Sequence, residues 1–193
     1  DKPFFMWFAA TDAHRGWSKD AVSPPHTHAD VVVPPYLPDT EDVRQDLALY
    51  YDEVSRMDEY VGKVVAELKL QNVFENTVII VMADNGRPFP RCKTTMYDSG
   101  IRTPFVVSWP QEVDPGAVNG NLVSSVDIAS TFVELAGLPV PKSFQGRSFA
   151  QGLRNVAVAN RDYIYAEHNW HDYAAHDRAV RDGRYLYIRN SFP

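Results

Sequence analysis

Apolar residues recur at steps of three and four over one long stretch of the chain, which is the spacing of an amphipathic α-helix. Thr40 precedes this stretch, and the acidic residues Glu41 and Asp42 come next. A threonine cap and acidic first-turn residues favour a helix start, because they satisfy free N–H groups and the helix dipole. The pattern predicts a helix from Thr40 to about Asn72 with a core-facing stripe of Val43, Leu47, Tyr50, Val54, Met57, Val61, Val64, Val65 and Leu68.

Three apolar runs, at residues 4–10, 77–82 and 104–109, predict strands, and the first of them is continuous. The first has no polar alternation, which is typical of a buried strand in a parallel sheet. A further helix is predicted from a cap at Ser124 or Ser125 through Leu135, ended by Gly137. This succession of strands and helices predicts an α/β sheet with flanking helices.

The last part of the chain differs in composition. Residues 141–154 have the composition of a loop, and the β-prone runs 163–165 and 185–188 follow, joined by a charged, histidine-rich segment. Short β-prone runs of this kind predict a small antiparallel subdomain. We therefore divide the chain into an α/β part at residues 1–142 and an incomplete C-terminal subdomain at residues 143–193.

Composition and charge exclude several classes of function. The chain has 193 residues, of which 45% are hydrophobic, and a net charge of −6, so it lacks the basic character of a nucleic-acid-binding protein. Its single cysteine, Cys92, excludes an internal disulfide and a cysteine-based zinc site. No apolar run has the length of a membrane span. Residues 84–102 are locally basic, so they could attract a small anionic substrate, but from the residues alone a solvated loop with scattered charges is the better interpretation.

The tripeptide Asp84-Asn85-Gly86 directly follows the apolar run at 77–82. A carboxylate and an amide oxygen at the end of a strand are suitable ligands for a divalent metal. Asn-Gly is also typical of a hairpin turn. Pro88 and Pro90 oppose the second strand that a hairpin needs. On spacing alone, the metal site and the turn are both open interpretations.

Four segments of the chain, in order, resemble the sulfatase family of the alkaline-phosphatase-like superfamily. They are residues 3–15, 37–58, 84–104 and 167–172, and the first of them has Ala13 where the family usually has proline. The similarity is greatest to the N-sulfoglucosamine sulfohydrolase group and covers nearly the whole chain. It implies an alkaline-phosphatase-like α/β fold.

The resemblance also implies roles for individual residues. Asp84 and Asn85 would be ligands of Ca²⁺ (or Mg²⁺). Lys93 would bind a sulfate oxygen or protonate the leaving group, and His14 would act as an acid or hydrogen-bond the sulfate. Without the resemblance, Lys93 is an ordinary surface lysine and His14 a structural or solvated loop residue. The neighbouring Arg15 could reach the same pocket or pair with a carboxylate.

A sugar-binding rim is the least specific part of the resemblance. Its candidates are Arg87, Glu167, His168 and His171, with His176 nearby. Trp170 could pack against a sugar face or belong to the core.

Two family motifs do not occur in this sequence: the Cys-x-Pro-Ser-Arg segment whose first residue becomes formylglycine, and an early Asp-Asp pair for the metal. We expect both on a missing N-terminal half of the same enzyme. The isolated chain should then be inactive, with an exposed hydrophobic face, a homo-oligomeric state or poor solubility.

The sequence thus predicts a sulfatase that cleaves sulfate from a sulfated sugar, with N-sulfoglucosamine favoured. A glycan O-sulfatase of the same family and a non-catalytic binding or structural fragment remain alternatives. A phosphoryl-transfer relative is disfavoured because residues 93–104 resemble sulfatases specifically. The resemblance implies a periplasmic, secreted or lysosomal location.

Overall fold

The computed structural model describes residues 2–171 and 173–192, so Asp172, the last residue of the segment 167–172, lies outside the described residues. The chain forms two compact units, residues 1–72 with 87–90, and residues 73–86 with 91–193. The predicted boundary between residues 142 and 143 stays a prediction, and it falls inside the second unit. None of the described helices is both long and apolar enough to cross a bilayer.

The first unit is built on helix α1, Glu41–Leu70. The Thr40 hydroxyl accepts a hydrogen bond from the Val43 N–H at 3.4 Å, which confirms the predicted start. The helix ends with Asn72 in the left-handed region at φ 57°, a conformation that asparagine tolerates better than most residues.

The buried face of α1 differs from the predicted apolar stripe. Its fully enclosed positions are Leu47, Ala48, Asp52 and Glu53, whereas Val54 is exposed. This face is covered by the polar loop of residues 12–26, whose groups bind the helix carboxylates. The Ser18 N–H donates to Glu53 at 2.6 Å, and the His26 N–H donates to Asp52 at 2.8 Å. Buried carboxylates are tolerated here because they are hydrogen-bonded.

The strand predicted at residues 4–10 is wrong for this structure. These residues have no regular secondary structure, and the run from Phe4 to Phe8 is exposed. A strand requires a hydrogen-bonded neighbour, and no described residue forms a ladder with this segment. Apolar composition alone therefore does not make it a strand.

The second unit begins with a two-stranded antiparallel sheet. Strand β1 is Ile79–Met82 and strand β2 is Phe105–Ser108, with Ile79 opposite Ser108. Both strands were predicted from the apolar runs. Between them lies the short helix α2, Asp98–Ile101, and a 3₁₀ turn at Phe74–Asn76 precedes β1.

Helix α3, Asp127–Leu135, is followed by the short helix α4, Ala150–Arg154. The predicted serine cap of α3 is wrong, since no side-chain cap bond is made and the Asp127 carboxylate instead accepts from the Ser124 N–H at 3.0 Å. The predicted end is confirmed by Gly137, which lies in the left-handed region at φ 71°.

The C-terminal part forms the predicted antiparallel sheet with three strands in the order β3-β4-β5. They are β3 Ile164–Trp170, β4 Ala174–Arg181 and β5 Leu186–Asn190. Strand β4 lies in the charged, histidine-rich segment, which was predicted from its composition to be a connection between two strands. Helices with small sheets are consistent with a partial α/β fold.

Candidate active site

The tripeptide Asp84-Asn85-Gly86 follows β1 by one residue and closes a local turn. Asp84 Oδ1 accepts from the Asn85 N–H at 2.8 Å, and Asn85 Nδ2 donates to the Gly86 carbonyl at 2.8 Å. The Asp84 side chain is exposed. Asn85 uses its amide nitrogen in the bond to Gly86, and neither of these two bonds uses its amide oxygen. The tight-hairpin interpretation is wrong, because the strand that pairs with β1 begins only at Phe105.

Two glycines bring the turn against a second backbone segment. The Gly86 N–H donates to the Gly100 carbonyl at 2.9 Å. A Cβ on Gly86 would stand 2.1 Å from the Ser99 carbonyl oxygen, and one on Gly100 would stand 2.2 Å from the Thr95 carbonyl oxygen. Glycine at both positions permits this close approach, which no residue with a side chain could make without backbone movement.

The second segment is the lysine loop, defined here as residues 91–100. Lys93 is half-buried and lies between two residues in the left-handed region, Arg91 at φ 64° and Thr94 at φ 67°. The adjacent Cys92 is fully buried and anchors the loop. Within the described part of the chain, Lys93 forms no ion pair, so its ammonium group remains available for an anion.

The lysine loop also contacts the C-terminal sheet. Asp98 at the start of α2 lies 3.5 Å from the guanidinium of Arg181 at the end of β4. The Arg91 guanidinium stacks over the Tyr97 ring at 4.5 Å from its centroid. Asp84, Asn85 and Lys93 therefore lie on backbone segments that touch each other and are tied to β4.

His14 belongs to the first unit, where its side chain is exposed. Its N–H donates to the Thr11 carbonyl at 2.8 Å in a turn, and its ring Nδ1 lies 2.5 Å from the Arg15 carbonyl oxygen. Arg15 pairs with Asp46 through both nitrogens of its fork and also contacts the Trp17 and Phe89 rings. The two interpretations of Arg15 are thus decided in favour of pairing with a carboxylate.

Sequence reasoning missed an ion-pair network beside His14. Arg56 on α1 binds both oxygens of Asp12 at 2.9 and 2.7 Å and also binds Glu53. The bonds from Arg56 outweigh burial and hold the pKa of Asp12 below its ordinary value. Asp12 and Arg56 both lie in the segments that resemble the sulfatase family, which is the signal that could have indicated this pair.

Arg87 also lies in the first unit. Its Nη2 donates to the Tyr36 hydroxyl at 2.8 Å, and its guanidinium lies 5.9 Å from the Phe89 ring centroid. These contacts hold the side chain in one place. Its predicted role in substrate binding is not decided by them.

The three candidates in the C-terminal part do not share one face. Glu167 and His168 are consecutive on β3, so they point to opposite sides of the sheet. Glu167 is exposed and lies 3.4 Å from Arg178, whereas His168 is 8% exposed, with its Nδ1 3.5 Å from Asp177. His171 follows β3, and its N–H donates to the Tyr173 carbonyl at 3.2 Å.

The donor chemistry at the end of β1 fits a hard divalent cation. Asp84 and Asn85 offer carboxylate and amide oxygens, the ligand types that Ca²⁺ and Mg²⁺ prefer. No group of three or more metal-ligating His, Cys, Asp or Glu side chains comes together among residues 2–171 and 173–192. Ca²⁺ takes roughly six to eight oxygen ligands, so these two donors are too few to bind it alone. These residues would therefore be part of a larger ligand set.

The fold resembles several solved structures, among them one described as a 2-O GAG sulfatase. One structure, in complex with its substrate D-glucosamine-2-N,6-O-disulfate, matches with a TM-score of 0.70 and 24% identity, covering 75% of this chain and 31% of that chain. At this level of identity the match shows the fold alone. It confirms the predicted α/β class.

Sequence comparisons extend this result. A model described as Sulfatase matches residues 1–138, and one described as N-sulphoglucosamine sulphohydrolase, C-terminal, matches residues 91–192. An ulvan-active sulfatase of Formosa agariphila is 35% identical over 195 residues, covering 98% of this chain and 32% of that protein. Human N-sulphoglucosamine sulphohydrolase is 33% identical over 168 residues, covering 73% and 33%. The chain spans about a third of the length of these relatives. It belongs to the sulfatase family.

Proposed function

We propose that this chain is part of a sulfatase that hydrolyses the sulfate group of a sulfated sugar. The observation that carries the proposal is the contact between Gly86 and Gly100, which joins the oxygen donors Asp84 and Asn85 to the lysine loop. Hard oxygen ligands beside an available ammonium group suit a tetrahedral oxyanion. Membership of the sulfatase family supports the same reaction.

N-Sulfoglucosamine is the favoured substrate group. Its support is the match of residues 91–192 to the C-terminal model described as N-sulphoglucosamine sulphohydrolase. The second candidate is an O-sulfatase, and the similarity to an ulvan-active sulfatase favours it. The two candidates differ in the atom that leaves, nitrogen or oxygen, and in both cases that atom takes up a proton as it departs.

Each candidate residue has a defined role in this proposal. Asp84 and Asn85 would hold Ca²⁺ (or Mg²⁺), which when bound supplies positive charge that stabilises the sulfate oxygens. Lys93 donates hydrogen bonds from its ammonium group to a sulfate oxygen or protonates the leaving group. His14 is proposed to protonate the departing nitrogen or oxygen.

Arg87, Glu167, His168 and His171 are proposed to contact the sugar. The nucleophile, a formylglycine hydrate in this family resemblance, and the remaining metal ligands would come from another part of the same enzyme.

Lys93→Ala in the complete enzyme tests the proposal. Removing a preorganised cation from the transition state should lower kcat/KM on N-sulfoglucosamine at least about a hundredfold. The matched control is Lys142→Ala, which removes an exposed loop lysine and should leave the rate unchanged. A near-normal rate for Lys93→Ala would refute the role of this lysine.

Parallel assays on N-sulfated and 6-O-sulfated glucosamine distinguish the two substrate candidates. A higher kcat/KM on the N-sulfated sugar supports the favoured one, and the reverse order supports the O-sulfatase. If the wild-type enzyme cleaves neither substrate nor any other sulfated sugar, the non-catalytic alternative replaces both.

A further inference from the structure

Two hydroxyl groups that follow Lys93 bind the backbone carbonyls that precede it. Thr95 Oγ1 lies 3.0 Å from the Arg91 carbonyl oxygen and 2.9 Å from the Cys92 carbonyl oxygen. Ser99 Oγ donates to the same Arg91 carbonyl at 2.5 Å. The Thr95 N–H adds a bond to the Cys92 carbonyl at 3.2 Å. The hydroxyls of Thr95 and Ser99 therefore join the part of the loop after Lys93 to the part before it.

The backbone that these hydroxyl bonds hold has an unusual conformation. Arg91 and Thr94, on either side of Cys92 and Lys93, both adopt the left-handed region, which residues with a Cβ disfavour. Such conformations persist when surrounding interactions fix them, and they cluster at functional sites. The hydroxyls of Thr95 and Ser99 supply such interactions within the lysine loop.

Thr95 also connects the lysine to the turn at Asp84-Asn85-Gly86. Its carbonyl oxygen would lie 2.2 Å from a Cβ on Gly100, the residue whose own carbonyl binds the Gly86 N–H. One threonine thus contacts both the backbone before Lys93 and the glycine that meets the Asp84 turn. A lysine side chain is long and flexible, so its ammonium group can be placed reproducibly only if the backbone that carries the side chain is itself held in one position.

We propose that Thr95 and Ser99 are positioning residues that fix the backbone of Lys93 and thereby place its ammonium group. The inference rests on the proposed function of Lys93. Neither hydroxyl needs to touch the substrate, because both act through the carbonyls of residues 91 and 92. Small displacements of a catalytic group lower rates strongly, which makes the effect measurable.

A double-mutant cycle in the complete enzyme tests this. Thr95→Val keeps the shape of the side chain and removes its hydroxyl, whereas Thr95→Ser keeps the hydroxyl and is the matched control. We expect Thr95→Val to lower kcat/KM on the sulfated sugar at least about tenfold. Thr95→Ser should stay within about twofold of the wild type. In a Lys93→Ala background, Thr95→Val should change the residual rate by less than about twofold, because the group that it positions is absent.

An equal loss in both backgrounds would overturn the inference, since it would show a structural effect independent of Lys93. A near-normal Thr95→Val enzyme would overturn it as well. If Thr95→Val fails to fold, Ser99→Ala replaces it in the same cycle with the same two criteria. Failure of the proposed function is distinguished by Lys93→Ala alone: an active Lys93→Ala enzyme rejects the role of the lysine and this inference with it.

Discussion

Asp127 at the start of α3 is the buried carboxylate with the most partners in the second unit. It is fully buried, and its oxygens accept from Arg161 in a fork, from the N–H groups of Ser124 and Arg147, and from the Asn160 amide. Asp127→Asn keeps the shape but removes the charge, and it places an N–H₂ group among these donors. Arg161, whose side chain is 13% exposed, then loses its counter-charge.

Breaking a buried ion pair by removing one partner costs about 3–5 kcal/mol, because the other charge stays buried. At about 1.4 kcal/mol for each factor of ten, opening of this region should become roughly a hundred- to several thousandfold more frequent. The matched control is Glu112→Gln, which breaks a surface pair with Arg154 and should cost about 0–1 kcal/mol.

The assay is native-state hydrogen exchange of the α3 amides, which reports local opening without requiring two-state unfolding. We expect protection in α3 to fall by the stated factor in Asp127→Asn and to change little in Glu112→Gln. A change below about tenfold in Asp127→Asn would refute the reasoning that this network holds α3.

The same carboxylate predicts a dependence on pH. Burial raises the pKa of Asp127, but the bonds from Arg161, Arg147 and Ser124 outweigh it and hold the pKa below its ordinary value of 3.8. The unfolded state therefore takes up the proton first as the pH falls. The stabilisation is complete above the ordinary pKa and is lost as the pH drops through the folded value. Acid should destabilise the wild type more steeply than Asp127→Asn, and parallel slopes would contradict this.

Three further changes give distinct outcomes. Gly86→Ala should lower the unfolding temperature, because the new Cβ would clash with the Ser99 carbonyl. Gly62→Ala is the matched control: this residue lies on the exposed face of α1 with open space around it, so the change should raise the unfolding temperature. Arg56→Ala should also lower the unfolding temperature by leaving Asp12 and Glu53 without their shared cation, and an unchanged value would count against that network. Asp84→Ala should abolish metal binding by the complete enzyme, as measured by elemental analysis. Asp114→Ala, in an exposed loop, should retain the metal. Metal retained in Asp84→Ala would refute the role of Asp84 as a ligand.

Local sequence signals predicted much of the fold. The period and cap of α1, the apolar runs of β1 and β2, and the glycine that ends α3 each act within a few residues, so the sequence displays them directly. The segment from Asp84 to Lys93 was also indicated by residue type and by resemblance. The roles of these residues in catalysis remain predictions.

Apart from the serine cap of α3, the errors concern interactions between distant residues. Strand β4 has a polar, histidine-containing sequence, and its pairing with β3 and β5 decides its conformation. Residues 4–10 have the composition of a strand but no ladder partner in the described chain. The burial of Asp52, Glu53 and Asp127 was not predicted, because only their partners, far along the chain, make it favourable.

The exposed run from Phe4 to Phe8 has an optical consequence. Trp7 lies in its middle and is 75% exposed, whereas Trp17 is half-buried against Phe89 and Tyr50. Indole emission shifts to shorter wavelength when water is removed from the ring, so any surface that covers this run changes the fluorescence of Trp7. With the other tryptophans replaced by phenylalanine, Trp7 would report on such a contact without an added label.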